Sequence, residues 1–333
     1  MIFVDWLTIN QLHLRGSKSL NGGHFMELDA DGTVNYRISK FYRHEGSYKT
    51  ALALRSDGNR VELSGNVGRF GRADNVFNAS WDETLQGAQI VASTFDLPPF
   101  SEGATYFDSR GNIQTFGASV TRLDLTCNYV TGSPQQAIAF LSWLDGQSLA
   151  YIRRGRKVGS TTVEWGSNKG RYKIIAYDKA QEMLDHSKDK DAIKANRVFQ
   201  YCRDNGIIRV ELKLKRQELQ DKGLRFLGDI DMGKLIQIYK EKTDFISGAN
   251  VDASELDFSD LASSVRMTYE AYMQGVDVAR LLPLRTLYRH AKILRAYGVD
   301  ITSNPSVQRL KTEVRRINLA PAEIPDWYSL KAA

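Results

Sequence analysis

The sequence predicts an α+β fold: a largely antiparallel sheet with flanking helices, followed by a small helical C-terminal domain of the helix-turn-helix or winged-helix kind. Three observations predict it. The first 215 residues or so consist mainly of short segments that alternate apolar and polar residues between Gly, Asn, Asp and Ser, the pattern of half-buried strands. The helical stretches among them keep no regular strand–helix–strand rhythm, which argues against a doubly wound parallel sheet. Beyond about residue 260 the apolar residues return every three or four positions, and the pattern turns helical.

Taken in order, strands are expected at Phe3–Ile9, Lys49–Leu54 and Arg60–Ser64, then a helix at about Asp82–Phe95 and a strand at Ser119–Asn128. A helix at Pro134–Leu144 precedes strands at Thr161–Trp165 and Tyr172–Tyr177, a third helix at Lys179–His186, and a last strand at Ile207–Lys215. Between Phe245 and Ser259, Gly248-Ala249-Asn250 is followed by Asp252, Glu255 and Asp257 with no clear period, which marks the boundary between domains 1–247 and 260–333. In the second domain, shorter helices surround Gly275. Pro283 then opens a helix whose Leu284, Leu287, Ala291 and Leu294 share one face and whose Arg285, Arg289 and Lys292 share another, closed by Gly298. Val307, Leu310, Val314 and Ile317 repeat the arrangement, with Arg309, Arg315 and Arg316 turned outward.

Composition bounds the function. A chain of 333 residues, 42% hydrophobic and 25% charged with only 7 Pro, folds, which excludes disordered and fibrous classes. Its apolar stretches are strand-sized, so no membrane span is expected. The start Met1-Ile2-Phe3-Val4-Asp5-Trp6 has no basic region and is not read as a secretory signal. Cys127 and Cys202 stand alone without CxxC spacing, giving neither a disulfide framework nor a zinc site, and a reducing cytoplasm fits best. The net charge of +6 is unevenly spread: from Ala262 onward eleven basic residues stand against six acidic ones, a net +5, and everything before carries only +1. A basic tail on a near-neutral body suggests that the tail meets a polyanion.

Strand alternation tells which side chains can meet, because residues two apart share a face. Thr121–Cys127 carries Arg122, Asp124 and Thr126 on one side and Leu123, Leu125 and Cys127 on the other. Ile208–Lys215 carries Arg209, Glu211, Lys213 and Lys215, backed by Val210, Leu212 and Leu214. Thr162 and Glu164 face away from Val163 and Trp165. Lys173, Ile175, Tyr177 and Lys179 share a face while the strand persists; Tyr172 points the other way, so Tyr177, bracketed by lysines, is the phenol expected on the polar side.

Hard carboxylate oxygens on neighbouring strands are what Mg²⁺ (or Mn²⁺) requires, and Asp124 and Glu211 are the leading ligands, with Glu164 a further candidate. A tyrosine hydroxyl, with an ordinary pKa of about 10, attacks phosphorus only after losing its proton, and nearby cations favour the phenolate. The bland alternative is that the acids are solvated cross-strand pairs and the tyrosines ordinary strand formers. Other features carry less. His13, His24, His44, His186 and His290 are scattered, without His-x-His or HExxH. Asp5, on an apolar strand, has two readings, a buried structural acid, which is favoured, and a group that reaches the metal site. Gly65–Arg72 is glycine-rich and basic but lacks the Gly-Lys-Ser/Thr ending of a phosphate loop, and reads as a turn.

Taken together, Asp5-Trp6, Asn75-Val76-Phe77, Thr121-Arg122-Leu123-Asp124, Val163–Trp165 leading into Ala176-Tyr177-Asp178-Lys179, Arg209-Val210-Glu211 and Pro325-Asp326-Trp327-Tyr328 resemble the plus-strand replication initiators of filamentous phages, the gene-two type. The similarity to rolling-circle plasmid initiators is looser. The resemblance implies a strand-specific, metal-dependent DNA endonuclease and ligase that nicks a double-stranded origin through a 5′-phosphotyrosine. By position the nucleophile is Tyr177; Arg122, Asp124, Arg209 and Glu211 match recurring Arg-x-Asp and Arg-x-Glu elements, and Lys179 would activate the phenol. Glu164 departs from the pattern, since relatives can carry a hydroxyl residue there. Domain 1–247 would then nick, and domain 260–333 would hold origin DNA through Arg285, Arg289, Lys292, Arg309, Arg315 and Arg316. The partners implied are the duplex origin and its nicked strand, with a host replication helicase and polymerase, in the cytoplasm of a bacterial host. The alternative is a non-catalytic origin-binding protein or repressor.

Overall fold

The computed structural model describes residues 1–103, 105–107, 109–146, 161–247, 261–273, 276–295, 301–302 and 319–329. The chain opens with β1 (Ile2–Leu12), a ribbon of β2 (His24–Leu28) and β3 (Val34–Ser39), then β4 (Tyr42–Glu45), β5 (Ala51–Ser56) and β6 (Arg60–Gly65). After α1 (Trp81–Thr94) come β7 (Thr105–Phe107), β8 (Ile113–Thr115), β9 (Ser119–Val130), α2 (Pro134–Gly146), β10 (Thr162–Gly166) and β11 (Tyr172–Asp178). Helices α3 (Lys179–His186), α4 (Lys190–Ala195) and α5 (Arg197–Asp204) lead to β12 (Ile207–Lys215), α6 (Arg216–Asp221) and α7 (Met232–Ser247). The last described elements are α8 (Ser263–Met273), α9 (Val278–Leu281), α10 (Leu284–Arg295) and β13 (Ala320–Pro321). The expected boundary at Gly248–Ser259, the helix end at Gly298 and the second amphipathic helix over Val307–Ile317 lie outside the described residues.

Hydrogen bonding runs through a nine-stranded sheet in the order β10-β11-β12-β9-β1-β6-β5-β4, with β13 added to β9. The pairings β1–β6, β1–β9, β4–β5, β5–β6, β10–β11 and β9–β13 are all antiparallel, as the sequence predicts. Alternation sets the buried face: Leu7, Ile9, Leu63, Leu123, Leu125, Val210 and Leu212 are all fully buried. By chain contacts the fold divides into two units. The first comprises Met1–Cys127, Glu211–Glu241 and Glu323–Ala333; the second comprises Asn128–Val210 and Lys242–Ala322. These units cut the chain differently from a linear division at 247/260, because β9 and β12 each begin in one unit and end in the other.

Local chemistry explains the helix starts. Ser80 caps α1 by accepting from the Glu83 backbone while Glu83 accepts from the Ser80 backbone, a complete capping box. Asp178 ends β11 and caps α3 by accepting from Gln181 N at 3.0 Å. The expected strand at Lys49–Leu54 starts only at Ala51, because Tyr48 and Lys49 take positive φ in a 3₁₀ turn. In the second unit, α8, α9 and α10 pack around Val265, Tyr272, Val278, Leu287, Ala291 and Leu294. Leu284 does not join them: it lies 67% exposed at the first turn, before the helix meets its neighbours.

Among the described residues no helix is long and apolar enough to cross a membrane. In the β2–β3 ribbon Phe25, Met26, Leu28, Val34, Tyr36 and Ile38 are all exposed, so the alternation of Val34-Asn35-Tyr36-Arg37-Ile38-Ser39 marks no buried face.

Candidate functional site

In the first unit the polar face centres on β9 and β1. The register sets Trp6 opposite Asp124 and Thr8 opposite Arg122, so these four share a face. Arg122 grips Asp124 with both arms, Nε to Oδ1 at 2.9 Å and Nη2 to Oδ2 at 2.6 Å, and lies 4.7 Å from the centre of the Trp6 ring. The indole in turn donates to Thr8 Oγ1 and Ser64 Oγ, each at 3.2 Å. On β12, Lys213 Nζ lies 3.1 Å from Glu211 Oε2. Asp124 and Glu211 are buried, 3% and 7% exposed, so this is not a solvated surface of charges. Burial pushes the Asp124 carboxyl up against the opposing pull of Arg122 and Lys213. The Arg122 guanidinium is held charged above all by its hydrogen bonds to Asp124, with further attraction from Glu211 and Asp5.

Asp5 sits where the β1–β9 register slips, between Val4 and Trp6. Its Oδ1 accepts from three side-chain amides, Asn66 at 2.8 Å, Asn75 at 3.0 Å and Asn78 at 3.2 Å. The glycine-rich turn supplies one of the three amides, Asn66, and packs on the limb that carries Asn78: at Gly68 a Cβ would fall 2.2 Å from Asn78 Oδ1, so glycine lets the two limbs approach. Arg72 is buried, donating to Gly68 O at 3.0 Å and Phe77 O at 2.9 Å.

In the second unit Thr162 pairs opposite Tyr177 and Glu164 opposite Ile175, which sets Thr162, Glu164, Ile175 and Tyr177 on one face. Glu164 is taken by Lys173 at 2.8 Å. Lys179 does not continue the strand face as expected, because β11 stops at Asp178 and Lys179 is the first residue of α3. Its side chain is 2% exposed, with Nζ 2.7 Å from Glu182 Oε2 and 6.0 Å from the centre of the Tyr177 ring. Burial alone would raise the Glu182 carboxyl; Lys179, then Arg209 and His186, outweigh it and hold the group below the usual carboxylate range. Arg209 is wholly buried and donates from Nε to Asn128 Oδ1 at 2.9 Å. Asp178 is raised by burial.

The carboxylates of Asp124 and Glu211 are the right donor type for Mg²⁺ or Mn²⁺, and such an ion is commonly held by one or two carboxylates, water and substrate phosphate. Each already serves a cation, yet a carboxylate has about four lone-pair sites, so a bidentate Arg does not exhaust it. Among the described residues no group of three or more His, Cys, Asp or Glu side chains could hold a metal by itself. Of the expected DNA-binding residues, Arg285, Arg289 and Lys292 are exposed on α10, whereas Arg309, Arg315 and Arg316 lie outside the described residues.

Sequence reasoning assigns no role to the Asp5 cage, to Glu182 or to the hydroxyl of Tyr328. Repeated asparagines at 66, 75 and 78 beside an early strand acid are the available signal for the first.

Comparison with known proteins gives the class. The family model for the N-terminal part of the gene-two Replication-associated protein matches residues 1–232, and the model for its C-terminal part matches 254–333. The chain belongs to this family of replication-associated proteins. It is 26% identical to the Replication-associated protein of Enterobacteria phage I2-2, covering 98% of this chain and 96% of the relative. It is 24% identical to the protein of that name from Escherichia phage If1, over 81% and 95% of the two chains. A rolling-circle replication initiator protein from Geobacillus stearothermophilus aligns at 15% identity with a TM-score of 0.29, over 66% of this chain and 76% of that one.

Proposed function

We propose that the protein is a rolling-circle replication initiator that nicks and reseals one strand of a phage origin through Tyr177. The observation that carries the reading is the polar sheet face on which Asp124 and Glu211 are buried while their partners Arg122 and Lys213 keep part of their side chains in solvent, in a chain of a replication-associated family. A merely structural face has no reason to bury two carboxylates, because desolvating each costs several kcal/mol and a hydrophobic residue would serve the fold as well.

In this reading the Tyr177 oxygen forms a bond to the scissile phosphorus as the 3′-oxygen leaves and takes up a proton, giving a 5′-phosphotyrosine and a 3′-OH for extension. Lys179 favours the phenolate through its charge, and Glu182 fixes the ammonium in place. Arg122, with 38% of its side chain exposed, is better suited to meet the phosphate than Arg209, which is sealed in the sheet. A divalent ion, Mg²⁺ or Mn²⁺, would be held by Asp124 and Glu211, with Glu164, likewise paired with a lysine, a further candidate, and would polarise the phosphate. Because the covalent bond conserves the energy of the broken phosphodiester, a returning 3′-OH reverses the step without ATP. Domain 1–247 carries this chemistry. Domain 260–333 holds the duplex through Arg285, Arg289 and Lys292, joined by Arg309, Arg315 and Arg316, while host helicase and polymerase act on the nicked template in the bacterial cytoplasm.

The test is incubation with the cognate supercoiled replicative form in Mg²⁺ or EDTA, followed by denaturing gels and mapping of the protein-linked 5′ end. Wild type should give a Mg²⁺-dependent nick with the adduct on Tyr177, and Tyr177→Phe should lose the adduct while keeping origin binding. Tight binding without a nick in any metal would leave an origin-binding protein or repressor instead.

A further inference from the structure

The chain leaves the first unit after Glu241 and returns to it at Glu323, and its last described residues close against the loop that follows β6. Pro325–Tyr328 forms a tight turn, with Tyr328 N donating to Pro325 O at 2.8 Å. The turn presents the Tyr328 hydroxyl to three residues of the loop. The hydroxyl donates to Asp74 Oδ1, and it accepts from Arg72 Nη2 at 3.0 Å and from Phe77 N at 3.2 Å. Its ring meets Phe77 edge-on, with centroids 5.2 Å apart. A phenol more than 250 positions away in sequence thereby fixes both limbs of one short loop.

The same loop holds Asp5. Asn75 lies between Asp74 and Phe77, and Asn78 follows directly; both donate to Asp5 Oδ1. Arg72 also reaches Asn78 Oδ1 at 3.4 Å, and Ala79 O accepts from Val4 N at 3.0 Å, tying the end of the loop to β1 beside the register slip. The slip sets Trp6 opposite Asp124, and the Trp6 ring backs Arg122. Three neutral amides hold Asp5 Oδ1 in place, and the Asp5 charge acts on Arg122.

We propose that Tyr328 is a positioning residue for the Asp5–Arg122–Asp124 face, locking from the far end of the chain the loop that cages Asp5. The proposal rests on the nicking reading above. Burial and then Asp74 push the Tyr328 phenol well above its ordinary value, so it stays a protonated donor at every working pH and is no candidate nucleophile. Tyr328→Phe keeps the ring contact with Phe77 and removes only the hydroxyl, which separates the lock from the packing.

The experiment compares wild type, Tyr328→Phe, Asp5→Asn and the double variant, with Asp326→Asn, on an exposed residue of the same turn, as control. Three quantities are read: amide hydrogen exchange over residues 66–79, origin-binding Kd, and the single-turnover nicking rate at saturating DNA. Tyr328→Phe should speed exchange in that loop and slow nicking about tenfold with Kd unchanged, the signature of a misplaced rather than an absent group. Its effect should largely vanish in the Asp5→Asn background, because two residues acting through one arrangement are not additive. Asp74→Asn, which weakens the same bond from the loop side, should reproduce the effect at smaller size. Unchanged exchange, an unchanged nicking rate with a looser loop, or full additivity with Asp5→Asn would each overturn the positioning role. If wild type itself does not nick in any metal, the functional reading has failed, and this inference falls with it for a separately visible reason.

Discussion

The sheet and the C-terminal helices handle charge in opposite ways. On the sheet, Asp124, Glu211, Lys179 and Arg209 are buried, each within bonding distance of a partner: Arg122, Lys213, Glu182 and Asn128. On α10, Arg285, Arg289 and Lys292 stand in solvent. A buried charge is held in one place by its partner, and low local polarity makes it act strongly on anything brought beside it. An exposed charge is mobile, screened within about 8 Å at physiological salt, and good mainly for attracting a polyanion. On the proposed reading, positioning and chemistry fall to the one region and electrostatic capture to the other.

Substitutions break this contrast in order of size. Arg209→Met removes a fully buried guanidinium and strips Asn128 and Glu182 of an interaction; the expected loss is about 3–5 kcal/mol, read from urea unfolding midpoints. A loss below about 1 kcal/mol, the scale of a surface pair, would show that the sheet tolerates its charges like surface ones. The combined Arg285→Ala, Arg289→Ala and Lys292→Ala variant should unfold like wild type, while the slope of log binding constant against log salt becomes shallower by about 2–3. An unaltered slope would remove α10 from the DNA contact. The smallest effect concerns pH. The Glu182 carboxyl is held below its ordinary value of 4.5, so its stabilisation is fully present above that value and is lost as pH falls through the lower, folded value. Glu182→Gln should therefore flatten the acid limb of the stability curve and leave the region above pH 7 with no further pH dependence from this site.

Much of the sheet is legible because strand alternation is a local property. The pattern of Ile207–Lys215 matches β12 residue for residue, and counting in twos groups Arg122 with Asp124 and Arg209 with Glu211 along their strands. The helix Lys179–His186 is legible too; with Lys179 as its first residue a strand face counted in twos does not extend to that lysine, although its Nζ lies 6.0 Å from the centre of the Tyr177 ring. The amphipathic reading of α10 holds for Leu287, Ala291 and Leu294 and fails at Leu284, since a periodic pattern says nothing about where the neighbouring helix stops.

The sequence by itself determined the α+β class, the antiparallel strands and the polar and apolar sides of each, and it carried the family resemblance, because side-chain alternation and turn chemistry depend on near neighbours alone. Only the tertiary structure decided that Asp124 and Glu211 are buried on the polar side, that Arg122 closes on Asp124 with both arms, that three asparagines converge on Asp5, and that Tyr328 returns to hold their loop. Those outcomes depend on residues tens to hundreds of positions apart meeting at hydrogen-bond distance, and no local period records which distant groups the folded chain brings within about 3 Å.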